Sequence, residues 1–381
     1  MVDPRHQTLV KIQPAQVREL ATSILRQSQD GTRPSIEWDE EQWHYRPSLS
    51  LPSSIARERL ALYILAMDAI NFCFWPSHVD KGTTAGSFTN FEYEHLARAM
   101  ASMAHQDEDQ QLHANSLNPD YVFSPSRLAR LTPSEMADLW NRHLTRLADE
   151  MRISPITPLD DIETRCKLWN EIGRILLMDP WNGSVLNFLH HSSSDTTVSP
   201  ELLTAPQLVD RIVESFAGFR DISPWEASSS MDCHAKDAGA AKSLYLLKRA
   251  QICVGDLNAS LRLQLGQISH ITTFADYRVP QLLRHLQILQ YEHTLACSID
   301  EGKELPRNSP EEKTIRAATV VAVEAIVDEL KHQQRNGFAS DSHHQEEYMA
   351  MTVDWYLWQI GERMHKEGVL KPHHRTRTIF Y

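Results

Sequence analysis

A chain of 381 residues with a formal net charge of −12 is poorly suited to wrapping a long polyanion, because such binding rests on Lys and Arg neutralising phosphates; a local basic pocket for a small anion stays open. With 41% apolar residues, 23% charged residues and nine Trp, global disorder is excluded. Five scattered cysteines (Cys73, Cys166, Cys233, Cys253 and Cys297) include no C-x-x-C pair, which argues against a disulfide framework and a thiolate zinc site and points to a reducing cytosol or nucleus.

The opening MVDPRHQ lacks the basic-then-apolar pattern of a secretory signal. Helical spacing predicts helices over Pro14–Gln27, Ser53–Phe74, Asn90–His105, Pro133–Met151, Leu159–Met178, Ser184–His190 and Pro200–Phe216. The same spacing continues over Ala238–Leu263, Pro280–Tyr291, Pro310–Gln333 and Gln345–Lys366. Leu60–Trp75 is the most apolar region, but Asp68 and Asn71 interrupt it and it falls short of the ~20 residues of a bilayer span, so it reads as a buried helix. Loops are expected at 76–89, 192–200 and 227–239. Few strings alternate in the manner of strands, and no repeat or long linker divides the chain. The expectation is a mostly α fold, a single compact helical domain over residues 1–381 with few or short strands.

Three segments carry candidate chemistry. In Ser243–Asp256, SLYLLKRAQICVGD, helical spacing puts Leu247, Ala250, Val254 and Leu257 on an apolar stripe. Tyr245, Lys248, Ile252 and Asp256 fall on another face, with Arg249 beside it. Two readings are open: an exposed ion-pair ladder, or a basic face that holds a monophosphate through charge-assisted hydrogen bonds. In Ile271–Leu283, ITTFADYRVPQLL, Asp276 precedes Pro280, a good first-turn residue. Asp276 is therefore either a helix cap or a carboxylate set between Phe274 and Tyr277, next to Arg278, to face developing positive charge. In Val353–Glu362, VDWYLWQIGE, Met349, Val353, Tyr356 and Ile360 recur at core spacing. Asp354 with Trp358, and Trp355 with Gln359, each lie one turn apart. This is either a packed aromatic helix with an exposed aspartate or a wall that stacks on a heterocycle while a carboxylate accepts its N–H groups. The pairs His190/His191, His343/His344 and His373/His374 lack the spacing of a metal-ligand motif, and no dinucleotide or Walker glycine loop and no nucleophile elbow occurs.

Taken with AINFCFW (Ala69–Trp75), GRILL (Gly173–Leu177), GSVLN (Gly183–Asn187), VESFAGFRD (Val213–Asp221) and HRTRTIFY (His374–Tyr381), these segments resemble the queuosine-salvage family of queuosine 5'-phosphate N-glycosylase/hydrolases. YLLKRAQ (Tyr245–Gln251) and FADYRVPQ (Phe274–Gln281) are its most specific parts. The resemblance implies a helical fold similar to base-excision DNA glycosylases and release of queuine from queuosine 5'-phosphate, with no cofactor or metal. It implies that Asp276 is the catalytic carboxylate, that Phe274, Asp354 and Trp355 contact queuine, and that His44 contacts the ligand. Gln359 departs from the family pattern, standing where members can carry an aspartate that meets the base; the amide keeps hydrogen bonding but loses a charge partner for queuine's amine. Lys248 and Arg249, with Arg278, are the expected monophosphate partners from charge and helix face. The expected partners are thus a small nucleotide and the queuine product, with no membrane and no stable nucleic-acid complex. Two further readings remain: a queuine-binding or scaffold protein without turnover, and a glycosylase acting on intact nucleic acid.

Overall fold

The computed structural model describes residues 8–29, 38–39, 41–75, 88–106, 108, 117–191, 201–225, 242–338 and 348–381. The loops expected at 192–200 and 227–239, and that at 76–89 as far as residue 87, lie outside these residues. In chain order the elements are β1 (Val10–Ile12), α1 (Pro14–Gln29), α2 (Ser53–Ala69), α3 (Tyr93–His105), α4 (Pro125–Leu128), α5 (Pro133–Met151), α6 (Ile162–Leu176), α7 (Val185–Phe188), α8 (Ala205–Ser215), β2 (Ile222–Trp225), β3 (Lys242–Tyr245), α9 (Lys248–Leu261), α10 (Arg278–His285), β4 (Leu289–Tyr291), α11 (His293–Asp300), α12 (Pro310–Gln333) and α13 (Ala350–Lys366). The fold is mostly α: among the described residues the sheets are two antiparallel pairs, β1 with β4 and β2 with β3. No described helix is long and apolar enough to cross a membrane.

Contacts divide the chain into two compact units. The first comprises Met1–Glu37, Arg220–Gln251 and Ile271–Tyr381, and the second Trp38–Phe219 and Ile252–His270. The first is built on α12, against which α1, α10, α13, β1 and β4 pack. The stripe Val17, Ala21, Ile24 and Leu25 of α1 shares a core with Ile315, Ala322, Val323, Ile326 and Leu330 of α12 and with Val353, Tyr356 and Leu357 of α13. Burying one such aliphatic side chain is worth about 1.5–3 kcal/mol. Of the core spacing expected on α13, Val353 and Tyr356 are buried, Ile360 packs against the core half-buried, and Met349 lies half-buried at the helix start, while Asp354 beside Val353 is buried rather than exposed. Gly361 of α13 lets the aliphatic stem of Arg278 pass, since a Cβ there would lie 3.1–3.2 Å from Arg278 Cγ and Cδ.

The second unit is centred on α2, which is buried nearly all round and packs with α3, α6 and α7. Arg59, fully buried, lies over the Tyr121 ring at 3.8 Å and donates to the carbonyls of Ala104 at 2.5 Å and Gln106 at 3.2 Å. Helix α5 starts and stops where its sequence dictates. Thr132 and Glu135 exchange capping bonds, Pro133 takes the first turn, and Arg152 ends the helix in the left-handed region.

Four expectations are corrected. Helix α2 ends at Ala69 rather than Phe74, because Arg165 captures the carbonyls of Ile70 and Phe72 that a longer helix would use. Of the helix expected over Ala238–Leu263, residues 238–241 lie outside the described residues, and the described part is strand β3 followed by α9. Leu246 and Leu247 N–H both donate to the Asp221 carbonyl, Leu247 has φ +48, and the helix begins only at Lys248. The helix expected over Pro280–Tyr291 begins earlier, at Arg278. It ends at His285, where Gln287 has φ +59, leaving residues 289–291 to pair with β1. Helix α11, not anticipated, is capped by Glu292, whose carboxylate accepts from Thr294 and Leu295 N–H.

Candidate active site

The segment Thr272–Asp276 of the first unit has no regular structure, yet each residue is tied down. Gln251, at the end of the first turn of α9, accepts from Thr272 N–H at 2.8 Å and donates to the Leu246 carbonyl at 2.9 Å. The Thr273 hydroxyl and the Phe274 N–H both donate to Asp354 Oδ1, the latter at 2.9 Å. Arg316 Nε donates to the Ala275 carbonyl at 2.8 Å. Asp276 Oδ1 then accepts from Arg278 N–H at 2.8 Å and Val279 N–H at 3.2 Å, which starts α10. Asp276 is thus a helix cap, but that role occupies one oxygen. The residue is 8% exposed, and both capping bonds fall on Oδ1.

Asp354 lies close enough for its charge to feel Asp276. Burial and the Asp276 carboxylate push the Asp354 carboxyl up to about 8, against the Thr273 hydroxyl, the Phe274 N–H and the charge of Lys248. The acid is therefore mostly neutral at pH 7. Both the Thr273 hydroxyl and the Phe274 N–H donate to its Oδ1. Phe274 is buried, while Trp355 and Gln359 are half-buried on α13.

Lys248 and Arg249 are 4% and 1% exposed, and Asp256 is buried too, which removes the exposed ion-pair ladder. The Lys248 N–H donates to Asp221 Oδ2 at 3.3 Å. Tyr245 is not on this helix; it belongs to β3 and is exposed. Arg278 is buried with its guanidinium engaged: Nε meets Glu362 at 2.6 Å and NH1 meets Gln281 at 2.6 Å, and Gln281 donates to the Lys371 carbonyl. Burial works against its charge, but Glu362 outweighs that and raises it above its ordinary value. Tyr277, between Asp276 and Arg278, packs against His373 with ring centroids 4.4 Å apart and planes tilted by 32°, and burial pulls His373 down to about 3.

Sequence reasoning missed a second layer. Arg316 NH1 and NH2 bind the two oxygens of Asp221 at 3.1 and 2.5 Å, and the Tyr381 ring covers the guanidinium at 4.0 Å. Burial opposes the Arg316 charge, and Asp221 more than offsets it. Asp221 and Tyr381 close the segments VESFAGFRD and HRTRTIFY, so the signal was present but carried no visible chemistry.

His44 belongs to the second unit. Its Nδ1 lies 3.1 Å from the Tyr63 hydroxyl and its Nε2 3.3 Å from the Tyr93 hydroxyl, and the Trp38 ring centroid is 4.8 Å away. Burial lowers the imidazole to about 4, so it is a neutral group at pH 7, and burial likewise pushes both phenols well above their ordinary range. Among the described residues no three His, Cys, Asp or Glu side chains are grouped to hold a metal ion.

A family profile described as queuosine salvage protein matches residues 51–381. A protein of Dictyostelium discoideum named queuosine 5'-phosphate N-glycosylase/hydrolase is 30% identical over 90% of this chain and 85% of its own length. Proteins of the same name from Sphaerobacter thermophilus and Mus musculus are 32% identical over 86% of this chain and 83% of the relative, and 28% identical over 97% and 99%.

Proposed function

Because the chain belongs to the queuosine salvage protein family, we propose that it hydrolyses the N-glycosidic bond of queuosine 5'-phosphate and releases free queuine for salvage into tRNA modification. The observation that carries this reading is the buried pair Asp276 and Asp354: the Thr273 hydroxyl and Phe274 N–H tie the segment that carries Asp276 to Asp354 on α13, whose carboxyl burial pushes up to about 8. As the bond breaks, its electron pair leaves with the base and positive charge builds on the ribose. The Asp276 carboxylate faces that charge and favours the transition state over the ground state. Water adds its oxygen to the anomeric carbon. One of its protons stays on the new hydroxyl and the other ends on the departing ring nitrogen, giving queuine and ribose 5-phosphate.

Queuine is a 7-deazaguanine and lacks the ring nitrogen that purine-releasing enzymes often protonate. Leaving-group help must come through other atoms. An ionised carboxylate at the base edge would oppose negative charge gathering there, whereas a neutral Asp354 can donate to it. Phe274 and Trp355 are the stacking walls, and Gln359 meets the base through its amide. Lys248 and Arg249 hold the phosphate. Arg278, committed to Glu362 and Gln281, contributes its charge nearby. His44 supplies a neutral ligand contact. The reaction needs no metal, the substrate is the free nucleotide rather than intact nucleic acid, and the enzyme works in the cytosol or nucleus.

The test is queuine release by the purified chain from queuosine 5'-phosphate and, in parallel, from queuosine-containing tRNA, each with and without a chelator. Release from the nucleotide alone, unchanged by chelation, is expected. Release only from tRNA, or loss of activity on chelation that added metal restores, would overturn the corresponding part.

A further inference from the structure

Arg316 directs its guanidinium to three places. Nε donates to the Ala275 carbonyl at 2.8 Å, NH1 and NH2 grip Asp221, and NH1 also reaches Glu312 Oε1 at 3.3 Å. The Ala275 carbonyl belongs to the planar peptide whose N–H is that of Asp276. The bond therefore fixes the plane from which the Asp276 side chain hangs, while the Arg278 and Val279 N–H groups fix its carboxylate from the other side. Tyr381 completes the arrangement: its ring covers the guanidinium and its hydroxyl donates to Glu312 Oε1 at 3.0 Å.

We propose that Arg316, held by Tyr381, is a positioning residue for glycosidic cleavage that sets the orientation of Asp276 through the Ala275 carbonyl without meeting the substrate. The proposal rests on the reading of Asp276 given above. A fully buried ion pair is a poor device for stability alone, since well-packed apolar residues often serve as well. It is a good device for holding a loop that has no ladder of its own. Lysine cannot replace it, because one ammonium cannot span a carbonyl and a bidentate carboxylate together.

Two variants of the full chain test this by steady-state kinetics with queuosine 5'-phosphate, with thermal unfolding followed in parallel. Arg316→Lys keeps a charge opposite Asp221 and loses the Ala275 bond; kcat is expected to fall about 100-fold, the scale of an ångström-sized misplacement. Tyr381→Phe keeps the ring and loses the Glu312 bond, and kcat is expected to fall about 5-fold. In both, KM stays within about 2-fold of wild type, because ground-state binding is untouched. A kcat for Arg316→Lys within about 3-fold of wild type, or a change carried by KM, overturns the proposal. If Arg316→Lys does not fold, Tyr381→Phe decides alone, and an unchanged kcat overturns it. Absence of release by the wild-type chain overturns the functional reading and this proposal with it, whereas wild-type release with unchanged variants overturns the positioning role only.

Discussion

The segment around Asp276 and the aromatic box around His44 are equally buried but hold opposite kinds of polarity. Around Asp276 the polar groups are ionisable and tied down: Asp354 accepts from the Phe274 N–H, the Lys248 N–H donates to Asp221, and the charged Arg316–Asp221 pair holds the Ala275 carbonyl. Around His44 the ring nitrogens meet neutral partners, an imidazole lowered to about 4 between two phenols that do not ionise, while the Asp39 carboxylate takes the His44 backbone N–H. Burying charges is costly unless they are paired, so a chain retains them where a reaction needs a strong, fixed field. A neutral box suits recognition, where shape and modest hydrogen bonds suffice. The charged segment should therefore govern turnover, and the neutral box should govern fit.

Beyond Asp276 itself, the largest expected departure on the charged side is at Lys248. Lys248→Ala keeps the backbone bond to Asp221 and removes the proposed phosphate partner. Loss of a charge-assisted contact is expected to cost about 100-fold in kcat/KM for the nucleotide and under about 3-fold for the nucleoside, measured side by side. An equal loss on both substrates would move Lys248 from phosphate binding to the support of Asp354.

Asp354→Asn comes next. Because the Asp354 carboxyl sits up at about 8, wild-type kcat/KM should decline as the pH rises past that value. Asp354→Asn should lower kcat/KM about 30-fold and flatten that limb, read from a pH–rate profile. Stability carries the same sign. A carboxyl raised in the folded state contributes stability that is fully present below the ordinary value of 3.8 and is lost as the pH climbs through about 8. The variant should lose that part of the pH dependence in thermal unfolding.

Gln359→Asp would sharpen the comparison from the binding side. Restoring a charge partner for queuine's amine is expected to lower KM about 5-fold with kcat unchanged within about 2-fold. A fall in kcat instead would mean that the new carboxylate disturbs the Asp276–Asp354 pair. The smallest effect belongs to the neutral box: Tyr93→Phe removes one bond to His44 and should cost about 1 kcal/mol of stability. His44 itself is depressed, so its contribution is present above the ordinary 6.5 and is lost only as the pH falls through about 4, which leaves turnover between pH 7 and 8 insensitive to it.

Much of this was legible before any coordinates. The capped helices α5 and α12 lie at their expected bounds, because Thr132 with Glu135, Ser309 with Glu312, and the prolines that follow are local signals. The segments holding Asp276 and Asp354 stood out by composition. What could not be read was where charge goes. Lys248, Arg249 and Asp256 follow a helical spacing that ordinarily faces solvent, yet all three are buried. Arg316 sits among α12 residues that look like any amphipathic helix, and its partner Asp221 is 95 residues away in sequence. Strand β3 was lost inside an expected helix because four residues, Lys-Ser-Leu-Tyr, are too few to show alternation, and only the Asp221 carbonyl stops the helix from starting earlier.

The central claim is that the Asp276 carboxylate, and not merely its capping bonds, drives the chemistry. Asp276→Asn is the direct measurement, since the amide oxygen can still accept from Arg278 and Val279 N–H while the charge is gone. Queuine release from queuosine 5'-phosphate should fall by about 1,000-fold or more, with the unfolding temperature and nucleotide affinity close to wild type. Wild-type turnover in a folded Asp276→Asn chain would contradict the account and leave Asp276 a helix cap.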